Sequence, residues 1–118
     1  MMKHNFRKLE IWKRSRKLVK EVYLLTKKFP KEELYGLTSQ LRRATVSIPS
    51  NIAEGVSRST NSQIAHFLDI SISSSCESET QLYLAFDLEY ISDSDLNPIV
   101  DEISQIRRMM MSFQSKHQ

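Results

Sequence analysis

Apolar side chains recur at steps of three and four through the second quarter of the chain, and this spacing constrains the fold most. They are Leu34, Leu37, Leu41, Ala44, Ile48 and Ile52. Because side chains three and four positions apart lie on one face of an α-helix, the stretch predicts a helix with one apolar side. A wholly polar ridge runs beside it, formed by Gln40, Arg43, Ser47, Asn51, Glu54 and Arg58. We therefore expect the apolar side of this helix to pack into a core and the polar ridge to contact a binding partner.

Pro49 stands in the middle of this helix. A proline in a helix interior removes one backbone donor and clashes with the carbonyl four residues earlier, which here belongs to Thr45. We therefore expect the helix to be kinked at Pro49.

Residue usage favours long helices in one domain. The 118 residues include only 2 Gly and 3 Pro, which leaves few turns, and the length suits a single core. Cys76 has no second cysteine to pair with, so we expect no internal disulfide and a reducing cytoplasm as the location. The first ten residues lack a signal-peptide core, and no apolar run is long enough for a membrane span.

Four helices are predicted within a single domain, 1–118. Phe29-Pro30 ends the first helix, Thr60 to Gln63 has the pattern of a capping box, and Ser92 begins the cap of the last. The predicted bounds are about 7–28, 32–57, 61–91 and 95–114. Short connections between four such helices predict an all-α, antiparallel, up-down-up-down four-helix bundle. We do not expect the protein to bind a membrane.

The third predicted helix has an unusual centre, because residues 71–80 are nearly all small or polar. Serine and threonine are middling helix formers, so propensity alone does not predict a helix there. The apolar periodicity on the two sides is in phase, which favours one unbroken helix. Small side chains at Ser71, Ser75 and Ser78 would let another helix approach closely.

The first helix has an apolar arc wider than a single bundle needs. Trp12 and Tyr23 lie on this arc, and we expect it to contact other copies of the chain in a homo-oligomer. The residues predicted at subunit contacts or in structural roles are Trp12, Tyr23, Gln40, Pro49, Asn51, Glu54 and Glu79. For Glu79 we expect a buried polar bridge to Asn51, Gln40 or an arginine of the second helix.

Charge is distributed unevenly along the chain. Residues 1–31 carry a balance of +9, whereas residues 32–118 carry −6, within a net charge of +3. A basic segment on an acidic body indicates a polyanionic partner, or complementary packing between copies. The residues predicted to contact nucleic acid are Lys13, Arg14, Arg16, Lys17, Lys20, Arg42, Arg43 and Arg58. A solvated helix face explains the same charges equally well. Most aromatic residues are predicted to be buried, so single-strand stacking is not expected.

No residue set predicts catalysis, a metal or a cofactor. His4, His66 and His117 share no ligand spacing, and the glycines do not form a phosphate-binding loop. His66 and Asp69 lie one helical turn apart, which is the spacing of a local hydrogen bond on a solvated face as well as of an acid–base pair.

Four sequence blocks resemble one known family. They are F-x-K-L-E-I-W-K from Phe6, F-P-K-E-E-L-Y-G-L-T-x-Q-L-R-R-A from Phe29, S-I-P-S-N-I-A-E-G-x-S-R from Ser47, and F-L-D-I-S-x-S-S-x-x-E-x-E-T-Q-L from Phe67. These blocks are similar to those of the four-helix bundles called 23S rRNA-intervening-sequence proteins. The chain departs from the expected pattern by carrying Ser71 and Ser73 in place of alanine and glycine.

The resemblance implies a bacterial protein without established catalytic activity. Members of the family are encoded in insertions within bacterial large-subunit rRNA genes and widely elsewhere in bacterial genomes. Related accessory proteins of diversity-generating retroelements form homopentameric barrels that bind nucleic acid and a reverse transcriptase. By resemblance, the motif from Ser47 to Arg58 lies at helix packing or subunit contacts, and Lys13, Arg16, Lys17 and Lys20 join a positive surface.

Residues and resemblance together predict a non-catalytic, oligomeric, nucleic-acid-binding protein, with RNA as the preferred partner and a pentamer as the assembly. A protein-interaction scaffold is the first alternative, in which the basic face docks an acidic protein. A nuclease that uses Glu54, Glu79 or His66 is the second.

Overall fold

Four α-helices account for most of the chain in the computed structural model, which describes residues 5–118. They are α1 (Glu10–Thr26), α2 (Leu37–Val56), α3 (Asn61–Asp87) and α4 (Asp93–Ser115). Two single turns of 3₁₀ helix, Phe6–Lys8 and Lys31–Glu33, precede α1 and α2. The described residues contain no strand, so the predicted all-α four-helix bundle is confirmed.

Each helix packs against two others, in the order α1, α2, α3, α4 and back to α1. The α2–α3 pair has the most extensive contact. Contacts along α3 and α4 run in opposite directions, since Glu79 meets Arg107 whereas Asp69 meets Gln114. The up-down-up-down order of the whole bundle and the kink at Pro49 stay predictions.

The core is built from the apolar face of every helix. Leu18 of α1, Ile48 of α2, Leu82 of α3 and Ile103 of α4 are all fully buried. The periodic residues that predicted α2 behave as expected from Leu41 onward, whereas Leu34 remains 48% exposed because it precedes the helix.

The serine-rich centre of α3 is helical, as predicted, and its inward-facing serines are buried. Ser71, Ser75 and Ser78 are fully buried, and the Ser71 hydroxyl donates a 2.8 Å hydrogen bond to the backbone carbonyl of Ile48 in α2. Close approach continues toward the end of α2, where a Cβ added at Gly55 would lie 2.8 Å from the Cβ of Phe67. Small residues on both helices therefore produce the tight α2–α3 contact.

The α2 helix begins at Leu37 and not at residue 32. The segment Lys31–Glu33 forms a 3₁₀ turn, and Gly36 has a backbone conformation outside the helical region. The Glu33 carboxylate still serves the helix, because it accepts a 3.1 Å hydrogen bond from the backbone N–H of Leu37. Tyr90 donates a second bond of 2.7 Å to the same carboxylate.

The α3 helix ends at Asp87 and not at residue 91, because Glu89 adopts a positive φ of 65°. Backbone N–H groups of Glu89 and Tyr90 then bond back to the carbonyls of Phe86 and Ala85, each at 2.9 Å. This pattern is a Schellman C-cap, which usually carries glycine at the left-handed position.

The caps at the N-termini of the last two helices differ from one another. Thr60 accepts from the backbone N–H of Gln63 at 3.2 Å, which is only half of the capping box predicted there. Ser92 and Asp95 form the complete reciprocal box at the start of α4. That box and the 3₁₀ turn of Phe6–Lys8 move the starts of α4 and α1 to residues 93 and 10.

Candidate nucleic-acid interface

The outer face of α1 carries an open depression of about 340 Å³ lined wholly by cations: Lys13, Arg16, Lys17 and Lys20. We call this depression the α1 basic groove. Residues three and four positions apart stand next to one another on a helix, so a single helical ridge brings the four charges together. All four side chains are exposed.

Few intramolecular contacts hold these four cations within the described residues. Lys13 lies 3.9 Å from the carboxylate of Glu10, and both side chains are more than half exposed. The guanidinium of Arg16 lies over the Trp12 ring, 5.4 Å from its centroid. Lys17 and Lys20 form no ion pair among residues 5–118.

Arg14 does not join the α1 basic groove, because its guanidinium points to α4. It donates to both carboxylate oxygens of Glu102, at 2.9 and 2.6 Å, and to Gln105 at 2.8 Å. The hydrogen bond and charge of Glu102 raise the pKa of Arg14, and the hydrogen bond from Arg14 lowers the pKa of Glu102.

Arg42 and Arg58 are also engaged within the molecule. Arg42 donates to the Thr26 hydroxyl at 2.8 Å and lies over the Tyr23 ring, 4.5 Å from its centroid. Arg58 pairs with Glu54 at 2.5 Å and lies over the Phe67 ring. Of the predicted phosphate contacts, Arg14, Arg42 and Arg58 are thus engaged within the molecule, whereas Lys13, Arg16, Lys17 and Lys20 line the α1 basic groove.

Arg43 lies in a different surface depression, of about 510 Å³, between α2 and α3. We call it the α2–α3 groove, and it is lined by Tyr35, Ser39, Gln40, Arg43, Ala44, Ser47, Ser74 and Glu77. Three residues of the predicted polar ridge, Gln40, Arg43 and Ser47, therefore line this groove and not the α1 basic groove.

Residues predicted at subunit contacts are spread over two surfaces. Trp12 and Pro49 are partly buried, and Tyr23 remains 40% exposed. On the polar ridge, Asn51 donates to both the backbone carbonyl and the hydroxyl of Ser47 at 2.8 Å. Glu54 has the ion pair with Arg58 described above.

Glu79 bonds to Arg107 of α4, so the expectation of a partner on α2 was wrong. The cause is its place on the helix, since Glu79 faces α4 whereas Ser74 faces α2, where its hydroxyl bonds to Ser47. Arg107 also donates to the sulfur of Cys76 at 3.4 Å.

Within residues 5–118, no three His, Cys, Asp or Glu side chains come together as a metal-ligand set. His4 lies outside the described residues. His66 packs edge-on against Phe67, and Asp69 accepts from Gln114 at 2.6 Å. No helix of the described chain has the length and apolar character needed to cross a membrane.

The model of the family described as 23S rRNA-intervening sequence protein matches residues 7–112. The chain belongs to this family. The match includes α1 to α3 and most of α4, so the family resemblance noted in the sequence is confirmed. No curated protein matches the chain.

A solved structure supports the fold of this 23S rRNA-intervening sequence family member. It is a crystal structure from Bacteroides thetaiotaomicron VPI-5482, described as a protein with unknown function from the S23 ribosomal protein family. The two chains are 20% identical, with a TM-score of 0.79 over 88% of this chain and 97% of the other. At that identity the likeness shows the shared fold alone.

Sequence reasoning missed two features of these surfaces. The first is the engagement of Arg14, because Glu102 lies on a distant helix and no local spacing reveals the pair. The second is Tyr35, which is 93% exposed although most aromatic residues were expected to be buried. Gly36 beside it was the available signal, since it places Tyr35 in a connection and outside the apolar periodicity.

Proposed function

We propose that this family member is a non-catalytic, oligomeric protein that binds nucleic acid, with RNA as the preferred partner, through the α1 basic groove. The observation that carries the proposal is the convergence of Lys13, Arg16, Lys17 and Lys20 on one open depression. Lys17 and Lys20 form no direct ion pair among the described residues, and Lys17 acts on Glu102 only through its charge, so both ammonium groups are open to a ligand.

Cations in a row on a helix suit the phosphate backbone. On a helix, the Cβ atoms of residues three or four positions apart are separated by roughly 5–6 Å, so the cations of the ridge can contact successive phosphates. Each contact releases condensed counterions, which gives affinity that falls with salt and does not depend on sequence. No aromatic residue lines this groove, and the neighbouring Trp12 ring is partly buried with the Arg16 guanidinium over it, which favours backbone contacts over base stacking.

Self-association is part of the proposal and has its own support. The apolar arc of α1 is only partly covered, because Tyr23 is 40% exposed, and Leu24, which lies outside the arc among the lysines, is 53% exposed. Val46, one turn beyond Arg42 on α2, is 38% exposed. Copies joined through such a surface, in a ring of five, present several basic grooves at once, and simultaneous contacts raise the avidity for a long polyanion.

Filter binding to labelled duplex RNA and DNA tests the proposal. The triple variant Lys13→Glu, Lys17→Glu, Lys20→Glu is expected to bind RNA much more weakly than the wild type. A matched control, Lys27→Glu, Lys31→Glu, Lys116→Glu, changes the net charge equally at exposed positions outside the groove and is expected to retain most of it. Equal loss in both variants would show that total charge and not the α1 basic groove governs binding.

The two alternative functions, a protein-interaction scaffold and a nuclease, predict different results with the same labelled RNA and DNA. A scaffold that docks an acidic protein predicts no salt-sensitive binding of RNA by the wild-type chain. A nuclease predicts turnover of labelled RNA or DNA with Mg²⁺ or Mn²⁺, although Glu54 and Glu79 both have arginine partners in the folded chain. Mass measurement in solution gives the assembly, for which the proposal expects a pentamer.

A further inference from the structure

The α2–α3 groove contains an aromatic ring without a stacking partner and two charged side chains without an ion pair among the described residues. Tyr35 stands at one end and is 93% exposed, the largest exposure among the large apolar side chains of the described chain. Within residues 5–118 its ring stacks on nothing and its hydroxyl forms no hydrogen bond. An amphipathic ring so fully presented to solvent offers a flat surface for a planar ligand.

The two charged residues of this groove face it from different helices. Arg43 comes from α2 and Glu77 from α3, and no ion pair joins them to each other or to other described residues. Arg42, on the same helix as Arg43, and Arg58, just beyond the end of that helix, both have intramolecular partners. Arg43 is thus the α2 arginine whose donors remain open.

The floor of the groove is small and polar. Ala44, Ser47 and Ser74 leave room because their side chains are short, and the Ser74 hydroxyl is fixed by a 2.9 Å hydrogen bond to that of Ser47. The volume of about 510 Å³ falls in the range of small-ligand sites, which are roughly 300–1,000 Å³. The groove is therefore large enough for one nucleotide.

We propose that the α2–α3 groove binds one unpaired nucleotide of RNA. Tyr35 stacks on the base, Arg43 contacts the adjacent phosphate, and Gln40 and Glu77 bond to the edge of the base. The phosphate belongs at Arg43, because the N-terminus of α2 already has the Glu33 carboxylate on the N–H of Leu37. Glu77 repels a phosphate at the other side and accepts hydrogen bonds from base N–H groups, which fixes the orientation.

The inference rests on the proposed function, because it assigns the RNA a second point of contact. The α1 basic groove holds the backbone of a paired stem without regard to sequence, and the α2–α3 groove reads an unpaired position. Such a division matches how RNA is recognised, since unstacked bases in loops and bulges are accessible to aromatic side chains whereas paired bases are not. The preferred ligand is then a hairpin or bulged RNA and not a blunt duplex.

Fluorescence anisotropy with two labelled RNAs tests this inference on the full chain. One RNA is a hairpin with an unpaired loop, and the other is a blunt duplex with the same stem. The variants are Tyr35→Ala, Tyr35→Phe and Arg43→Gln. Tyr83→Ala serves as the matched control, since Tyr83 is 45% exposed on α3 and does not line the groove.

The wild-type chain is expected to bind the hairpin more tightly than the duplex. Tyr35→Ala should weaken hairpin binding by about fivefold or more, because stacking of a base on an aromatic ring contributes at least that factor. The affinity of Tyr35→Ala for the duplex, and the salt dependence of that affinity, should be the same as in the wild type. Tyr35→Phe should retain the hairpin preference, Arg43→Gln should reduce it, and Tyr83→Ala should have no effect.

Three results would overturn the inference. If Tyr35→Ala binds the hairpin as tightly as the wild type does, the base does not stack on Tyr35 and the inference is wrong. The proposed function still holds in that case if the wild type binds the duplex. A lower assembly mass in Tyr35→Ala with unchanged RNA binding shows that a second copy covers the groove. Absence of binding to both RNAs by the wild type refutes the inference and the proposed function together.

Discussion

Arg14 of α1 and Glu102 of α4 are joined by two hydrogen bonds, of 2.9 and 2.6 Å, in a fork that pairs both carboxylate oxygens with one guanidinium. Both side chains are mostly covered, with 30% and 25% exposed. Bidentate pairs of this kind are stronger than single ion pairs at the surface and fix the geometry of the two groups. One cation of the basic segment therefore holds the first helix to the last.

The Arg14–Glu102 pair predicts a stability difference between neighbouring cations. Arg14→Ala should lower the free energy of unfolding by about 1–3 kcal/mol, because it leaves a partly covered carboxylate without its donor. Lys13→Ala is the matched control and should change it by at most about 0.5 kcal/mol, since Lys13 lies on the open face. Urea unfolding of both variants measures the difference, and equal effects would contradict the structural role of Arg14.

The bond from Tyr90 to Glu33 predicts a dependence of stability on pH. Hydrogen bonds from the Tyr90 hydroxyl and from the Leu37 N–H lower the pKa of Glu33. A carboxyl with a lowered pKa in the folded state contributes stability that is present above its unfolded pKa, about 4.3 for Glu, and is lost as pH falls through the folded pKa. Tyr90→Phe should therefore be less stable than wild type near neutrality, and the gap should narrow in acid.

Urea unfolding of Tyr90→Phe and wild type, near neutrality and below about pH 3, measures that gap. Tyr83→Phe is the control, because Tyr83 has no hydrogen bond to a carboxylate in the described chain. A gap that stays constant with pH would show that the Tyr90 hydroxyl does not act through the ionised form of Glu33.

The close approach at Gly55 predicts that Gly55→Ala destabilises the protein. Alanine is the better helix former by roughly 1 kcal/mol, but the new Cβ would lie 2.8 Å from the Cβ of Phe67, an atom fixed to the backbone of α3. Overpacking of this kind costs about 1–3 kcal/mol, so the net change should be a loss. Ser50→Ala, at an exposed position of the same helix, should be neutral or stabilising, and a rise in melting temperature for Gly55→Ala would refute the tight contact.

The positive φ of Glu89 predicts a stabilising substitution. In the left-handed region, the Cβ of a non-glycine residue destabilises the folded state by about 1–2 kcal/mol. Glycine has no such steric cost, although it loses more chain entropy on folding. Glu89→Gly should raise the free energy of unfolding by about 0.5–1 kcal/mol, and Glu89→Ala should give no such gain because it keeps a Cβ. Thermal unfolding of the two variants distinguishes a strained C-cap from an unstrained one.

Local signals predicted the helices, because apolar periodicity survives even where propensity is weak. The serine-rich part of α3 was predicted as helix from the phase of Leu68 and Leu82, and both are fully buried. Helix ends were less accurate, since they depend on single side chains and dihedral angles. Glu89 gives no sequence sign of a left-handed conformation, and the cap that Glu33 supplies to Leu37 comes from outside the helix.

The candidate sites were predictable only where one helix carries them. Lys13, Arg16, Lys17 and Lys20 share a ridge by spacing alone, so the α1 basic groove follows from the sequence. The α2–α3 groove needs the register of two helices, which places Glu77 across from Arg43, and no spacing within one helix contains that relationship.

The salt dependence of duplex RNA binding tests the central claim most directly. If the α1 basic groove contacts phosphates, the logarithm of the wild-type affinity falls steeply with the logarithm of salt concentration. Reversal of Lys13, Lys17 and Lys20 together then reduces that slope by at least about 2, because each contact contributes roughly 0.7–0.9. A wild-type chain without a salt-dependent affinity, or a triple variant with the same slope, would contradict the claim.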